Sequence, residues 1–355
     1  MKTCVEAIPL EIWFTVFQYL EAHDLFQAFQ NLNSHFDQIL GSTQLSLCLR
    51  WKKTDGNDEQ YSTKSYWSDA VLSRVIYLQP AVQSSSTDLI EFLRWNANKF
   101  IRLESLTLKT DSRDALSILC ICQALRELHC LKRLVLTCVP FRILFETVFA
   151  LPSLRICQFV FQGSGESIDN NLLAVHSPIK QLFLTFPGRA NYSLINGLLT
   201  YTPELRHLEI CGSSFSFEPI SIFSQPLVNL PATRILKLKL DGGFFAPTCF
   251  QYLSTTMPAL KQFYLHYVKH LLVENFFDHF TADWWPMIQL IQHVNIYIEG
   301  HVPIIDDNDD VEKNLQKYQQ SLFYKTHQLN SLSKFQWDET KRGRLVLIKI
   351  TIVKS

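Results

Sequence analysis

His266 and His270 stand four residues apart, the spacing at which two imidazoles on one helical face can share a metal ion. They lie at the exit of a strand-like segment with no third ligand near them, so a surface or core role is the reading. Cys120-x-Cys122 has no second pair at zinc-ligand spacing. The nine cysteines are odd in number and mostly sit inside apolar runs, where a free thiol behaves as a small hydrophobe. The acidic run at 306–312, DDNDDVE, lacks the Gly and terminal Glu of a calcium loop and reads as a solvated loop. Glycine-cradled phosphate chemistry has little support: Gly is 11 of 355 residues, and no GxxxxGK is present. GxSxG and HExxH are missing too. Asn191-Tyr192-Ser193 is a formal glycosylation sequon, expected to stay unmodified in a reducing compartment. Trp284 and Trp285 read as repeat packing, with an exposed aromatic hot spot as the alternative. The expectation is a chain that is not an enzyme and holds no cofactor or metal.

Composition narrows the classes further. Apolar residues make up 47% and charged residues 19%, which excludes a mostly disordered chain. Lys plus Arg is 33 and Asp plus Glu is 33, so no overall basic field exists to attract nucleic acid. No run reaches the roughly 18 apolar residues of a membrane span. The N-terminal stretch is broken by Pro9 and Glu11 and lacks the marks of a secretory signal. The expectation is a cytoplasmic or nuclear location, with neither membrane nor nucleic acid as partner.

Residues 8–40 read as three short helices. Pro9 suits a first helical turn, where its missing N–H has no intrahelical partner. Leu10, Trp13, Phe17 and Leu20 follow at helical spacing with Val16 alongside, while Ile12, Phe14 and Tyr19 lie on other faces. A helix apolar nearly all round must be buried all round. A unit of ~35 residues cannot manage that by itself, so either the rest of the chain or a partner covers it. The second helix has Asp24 as cap with Gln27 three residues on, and a stripe of Leu25, Ala28, Phe29 and Leu32. The third runs from Asn33 to Leu40 and buries Phe36, Ile39 and Leu40.

After a polar connection at 51–68, a Leu-x-x-Leu-x-Leu pattern recurs. It appears as Leu103, Leu106, Leu108; Leu131, Leu134, Leu136; Leu154, Cys157, Phe159; and Ile179, Leu182, Leu184. Leu205, Leu208, Ile210; Ile235, Leu238, Leu240; and Leu260, Phe263, Leu265 continue it, with looser copies ending at Leu78 and Ile296. The intervals between final apolar positions are 30, 28, 23, 25, 26, 30, 25 and 31, close to the ~20–29 of leucine-rich repeats. Helix-compatible segments such as Asp114–Leu125, Tyr192–Leu199 and Phe244–Met257 lie between them. Stacked strand–helix units give a curved parallel sheet with helices outside, an α/β solenoid. The Asn that usually closes the turn after the strand is absent, with Val139, Ser213, Gly243 and Val268 in that slot, so the repeats are degenerate. A helix carrying Val311, Leu315, Tyr318 and Leu322 is expected near the C-terminus. A strand from Leu345 to Val353, after Phe335, Trp337 and a turn at Gly343, would cap the open sheet edge.

The run Ile8-Pro9-Leu10-Glu11-Ile12, Val16-Phe17-x-Tyr19-Leu20, Asp24-Leu25, Leu32-Asn33 and Phe36 resembles the F-box motif, with Ile8 for the usual Leu and Phe36 for the usual Trp. The resemblance covers about 35 residues. It implies a three-helix module that docks on the Skp-type adaptor of cullin-based ubiquitin ligases, and F-boxes are commonly followed by leucine-rich repeats. Ile8, Pro9, Leu10 and Ile12 then correspond to the adaptor-contacting start, and Phe17, Leu20 and Leu25 divide between core and contact. The expected organisation is an F-box-like module at 1–50, a linker at 51–69, repeats at 70–304 and a capping region at 305–355. The expected function is that of a substrate-recognition adaptor whose repeats bind a target protein. A repeat scaffold without ligase docking is the alternative.

Alternation along each strand sends the leucines inward and the residues between them outward. The outward columns are Thr107, Val135, Gln158, Phe183, Glu209, Lys239 and Tyr264, and beside them Ser105, Arg133, Ile156, Gln181, His207, Lys237 and Gln262. Phe183, His207, Glu209, Lys237, Lys239 and Tyr264 are the expected target-binding residues. Aromatics on a solvated face are candidate anchors, and the charges set the partner's pattern.

Overall fold

The repeated leucines form the inner face of a parallel sheet. The computed structural model describes residues 8–51, 67–80, 86–110, 115–162, 176–189, 192–214, 230–241, 256–270, 290–303, 333–342 and 345–354, with isolated positions between 313 and 320. The chain divides into two compact units, Met1–Gln158 and Phe159–Ser355.

The first unit opens with α1 (Leu10–Phe17), α2 (Ala22–Phe29) and α3 (Ser34–Gly41). Pro9 sits just before α1 rather than in its first turn, and its carbonyl accepts the Ile12 N–H at 3.1 Å. The cap expected at Asp24 is displaced, because α2 begins after Glu21. Glu21 makes no side-chain cap bond, and its carboxylate meets Arg50 at 2.9 Å instead. Asp24 falls in the first turn, where negative charge suits the positive end of the helix dipole. α3 starts one residue later than expected, because Asn33 is its cap, the side chain accepting the Phe36 N–H at 2.9 Å.

The sheet starts earlier than expected, with β1 (Leu47–Trp51) inside the segment assigned to the N-terminal module. After α4 (Asp69–Leu72), β1 pairs in parallel with β2 (Val75–Pro80). Strand and helix then alternate through α5 (Ser86–Asn96), β3 (Ser105–Lys109), α6 (Ala115–Glu127), β4 (Arg133–Cys138) and α7 (Arg142–Phe149) to β5 (Ile156–Phe161). Ile90 and Leu93 of α5 and Ile121 and Leu125 of α6 close over Leu106 and Leu108 of β3. The copy ending at Leu78 needs one correction: Leu78 pairs with Leu106 and Leu106 with Leu134, which makes both spacings 28 residues.

Arg74 joins the N-terminal helices to this sheet. Its guanidinium is buried and donates to the Leu40 carbonyl at the end of α3, to Ser42 O at 2.9 Å and to Ala70 O at 3.1 Å. Carbonyls at a helix C-terminus have no intrahelical donors, so a cation there both satisfies them and faces the negative end of the dipole. We expect Arg74→Met to cost about 3 kcal/mol, since burying those carbonyls without partners costs ~1–3 kcal/mol each, offset by apolar packing. A fall in the urea midpoint checks it; an unchanged midpoint contradicts it.

In the second unit, β6 (Gln181–Arg189), β7 (His207–Ser214), β8 (Ile235–Asp241), β9 (Gln262–His270) and β10 (His293–Pro303) are parallel neighbours in chain order, with α8 (Tyr192–Thr200) between β6 and β7. Leu182, Leu184, Leu205, Leu208, Leu236, Phe263, Leu265, Val294 and Ile296 are all buried. The frame read for β8 is corrected by two residues. Leu236 pairs with Leu208 and Leu238 with Ile210, so Thr233 takes the first leucine's slot. Thr233 is fully buried, and its hydroxyl donates to Leu205 O at 2.9 Å, which removes the cost of a buried polar group. The spacings from Leu182 through Leu208, Leu236 and Phe263 to Val294 become 26, 28, 27 and 31.

β12 (Leu345–Lys354) pairs antiparallel with β10, and β11 (Ser333–Arg342) pairs antiparallel with β12. The expected capping strand is therefore present on the last parallel strand. The acidic run at 306–312, Trp284, Trp285, Asn191, Gly343 and most of the helical segments expected at 244–257 and 311–322 lie outside the described residues.

Candidate functional site

Two surfaces carry the residues singled out by the sequence. The first is α1. Its inward side is Trp13 and Phe17, whose rings pack with Phe29 of α2 and Phe36 of α3 at centroid distances of 5.0–6.4 Å. Phe17 and Leu25 are wholly buried. They lie in the core of the three helices while Leu20 is half-buried, so burial divides the three residues between core and surface.

The other side of α1 is left bare. Ile8, Pro9, Leu10 and Ile12 are exposed, and so are Val16 and Tyr19, with Ile12 at 52% and Tyr19 at 86%. Ile8, Ile12, Val16 and Tyr19 are spaced four, four and three apart, a second helical stripe beside the core-facing one. Leu32 is exposed as well. Val16 and Tyr19, expected only as part of the apolar surplus of this helix, were not among the expected adaptor-contacting residues, although their spacing from Ile12 was the available signal.

The second surface is the outward face of the sheet in the unit Phe159–Ser355. Register brings Phe183, Glu209, Lys237, Tyr264 and Asn295 into one row across five strands. Lys237 thus takes the place expected of Lys239. Lys239 belongs to the next row, beside Cys211 and His266. The row before holds Gln181, His207, Ile235, Gln262 and His293. Phe183 and Tyr264 are half-buried and outside the core, as the alternation requires.

These side chains hold one another. The Lys237 ammonium lies 5.4 Å from the Tyr264 ring centroid and 3.9 Å from Glu209 Oε2, contacts that fix a long, otherwise mobile side chain over an aromatic face. Phe183 meets the His207 ring edge-on at 5.1 Å. Burial, then Lys237, hold the His207 imidazole below its usual range, with Glu209 opposing. His207 is therefore neutral near pH 7, and its 3.9 Å approach to Glu209 is no ion pair. Its Nε2 has no hydrogen-bond partner among the described residues.

In the unit Met1–Gln158, Ser105 pairs with Arg133 and Thr107 with Val135, as expected of the two columns. His266 and His270 share β9, so about 13 Å of extended strand separates them. That is too far for one metal ion. Cys120 and Cys122 lie two apart on α6 and so on different faces. Among the described residues no cluster of three or more His, Cys, Asp or Glu is placed to hold a metal. Burial pushes the Cys138 thiol up to about 12 and the Cys157 thiol well above its ordinary value, and such thiols make poor nucleophiles. Among the described residues no helix is long and apolar enough to cross a membrane.

No protein-family model matches this chain, and no curated protein matches it.

Proposed function

We propose that the chain is an F-box protein with degenerate leucine-rich repeats, a substrate-recognition adaptor of a cullin-type ubiquitin ligase. The observation that carries the reading is the bare apolar side of α1, borne by residues that also carry the F-box resemblance. Fully burying a Leu, Ile or Val side chain is worth ~1.5–3 kcal/mol. Leu10, Ile12 and Val16 together therefore offer several kcal/mol to a partner before the cost of association is met. The Skp-type adaptor is that partner, and a cullin scaffold is reached through it. The sheet face of Phe183, His207, Glu209, Lys237 and Tyr264, with Lys239 in the row beyond, receives the target protein. The chain supplies no reacting group. It raises the effective concentration of the target at the ligase's ubiquitin carrier.

The two surfaces are separable by mutation. A Phe183→Ala, Tyr264→Ala double variant removes two half-buried rings from the sheet face, and the Lys237 ammonium loses its aromatic support. We expect it to stay folded and to co-purify the adaptor at the parent's level, while proteins enriched by the parent fall by about tenfold or more. Quantitative mass spectrometry of the two purifications checks this. Unchanged enrichment of every protein other than the ligase subunits would sink the assignment of the sheet face.

A further inference from the structure

A third feature lies at the strand entries of the unit Phe159–Ser355. Lys180, Arg206, Arg234 and Lys261 occupy the residue just before β6, β7, β8 and β9. Backbone bonds lock them into one file. The Arg206 N–H donates to Lys180 O at 2.8 Å, Arg234 N–H to Arg206 O at 2.9 Å and Lys261 N–H to Arg234 O at 2.9 Å. Strands in a sheet lie ~4.8 Å apart, so four cations are strung over about 14 Å. Arg206, Arg234 and Lys261 are exposed and Lys180 is half-buried. None of the four makes a side-chain hydrogen bond or ion pair with another described residue.

The same file in the unit Met1–Gln158 is built differently. Glu104, Lys132 and Arg155 follow one another there, linked by Lys132 N–H to Glu104 O and Arg155 N–H to Lys132 O, each at 2.8 Å. Lys132 is spent on Glu104 at 2.7 Å, and Arg155 Nη1 is spent on the Pro152 and Leu154 carbonyls. The four cations of the second unit's file are paired with no counter-charge among the described residues, and an anion would supply one.

We infer that the file Lys180, Arg206, Arg234, Lys261 binds an acidic segment of the partner protein, its carboxylate or phosphate groups spaced to meet cations about 5 Å apart. One face of an acidic helix repeats every ~5.4 Å, which keeps successive acids opposite successive strands over this length. The inference rests on the reading that this sheet face receives the target, since the file borders the row of Gln181 and His207. Nucleic acid fits less well. The rings that could stack on bases are engaged, Phe183 with His207 and Tyr264 with Lys237, and the chain as a whole carries no net charge.

The test titrates the full chain, at low and at physiological salt, with three labelled probes: a decaglutamate peptide, a peptide of the same length bearing phosphoserines, and a decauridylate. The variants are Arg206→Gln, Arg234→Gln, Lys261→Gln together, and Lys132→Gln, Arg155→Gln together as control. We expect the parent to bind a peptide probe, more weakly as salt rises, and the triple variant to bind it about tenfold less tightly. The control pair should change affinity less than roughly twofold, its cations being already engaged. Preference between the two peptides tells carboxylate from phosphate as the source of charge, and either supports the site. No peptide binding, equal loss in the control pair, or tighter binding of the decauridylate than of both peptides would overturn it. Adaptor capture and the Phe183, Tyr264 comparison use other residues and another readout, so failure here leaves them standing and their failure is seen separately.

Discussion

Phe17→Ala should lower the stability of the unit Met1–Gln158 by about 3–5 kcal/mol, the usual cost of deleting a fully buried aromatic ring. The ring sits wholly out of solvent between Trp13 and Phe29, with Phe36 nearby. The loss would appear as a lower urea midpoint for a transition followed by tryptophan fluorescence, because Trp13 packs 5.3 Å from the ring. Adaptor binding would fall only as far as the folded fraction falls. A stable Phe17→Ala protein with adaptor binding abolished would instead place Phe17 on the docking surface, against its burial.

The opposite pattern is expected two positions into the same helix. Leu10→Asp with Ile12→Asp should abolish adaptor binding and leave the urea midpoint within roughly 0.5 kcal/mol of the parent, as exposed substitutions do. Both side chains already face water, at 42% and 52% exposure, so the free chain tolerates carboxylates there. Near the positive end of the helix dipole, added acids are even mildly favourable. In a docked state each carboxylate would be stripped of water without a cation to pair with, and that costs several kcal/mol per charge. Two such charges weaken binding by more than about a thousandfold. Parent-like binding by the folded double variant would refute docking through this side of α1.

How much of this was legible in the residues depends on what set each feature. The Leu-x-x-Leu-x-Leu strands were readable because inward leucines at 106, 108, 134 and 136 leave only one face that can be buried. The β8 frame was not. Leu236, Leu238 and Leu240 alternate evenly, so a slip of two residues keeps the same face inward, and a local pattern cannot choose between them. Thr233 decides it through a hydroxyl bond to Leu205 in the segment leading into β7, a long-range fact with only a faint trace in the more even spacing. β1 escaped notice because its leucines adjoin the helical segment, and its pairing with β2 carries a register shift between Leu47 and Cys48. On α1 the apolar surplus was plain, yet which side faced in depended on Phe29 and Phe36, contributed by helices whose placement no spacing within α1 encodes. The basic file at the strand entries was invisible for a similar reason. Lys180, Arg206, Arg234 and Lys261 are about 27 residues apart in sequence, and only the sheet register makes them neighbours.

Amide hydrogen exchange of the full chain, with and without saturating purified Skp-type adaptor, tests the central claim most directly. Exposed helical amides open locally at low cost, so a docked partner slows them measurably. The expected footprint is slowed exchange confined to residues 8–20 and the turn at Leu32, with the strand amides of β6–β10 unchanged. Identical exchange in the two samples, or protection on the sheet face with none on α1, would contradict the claim.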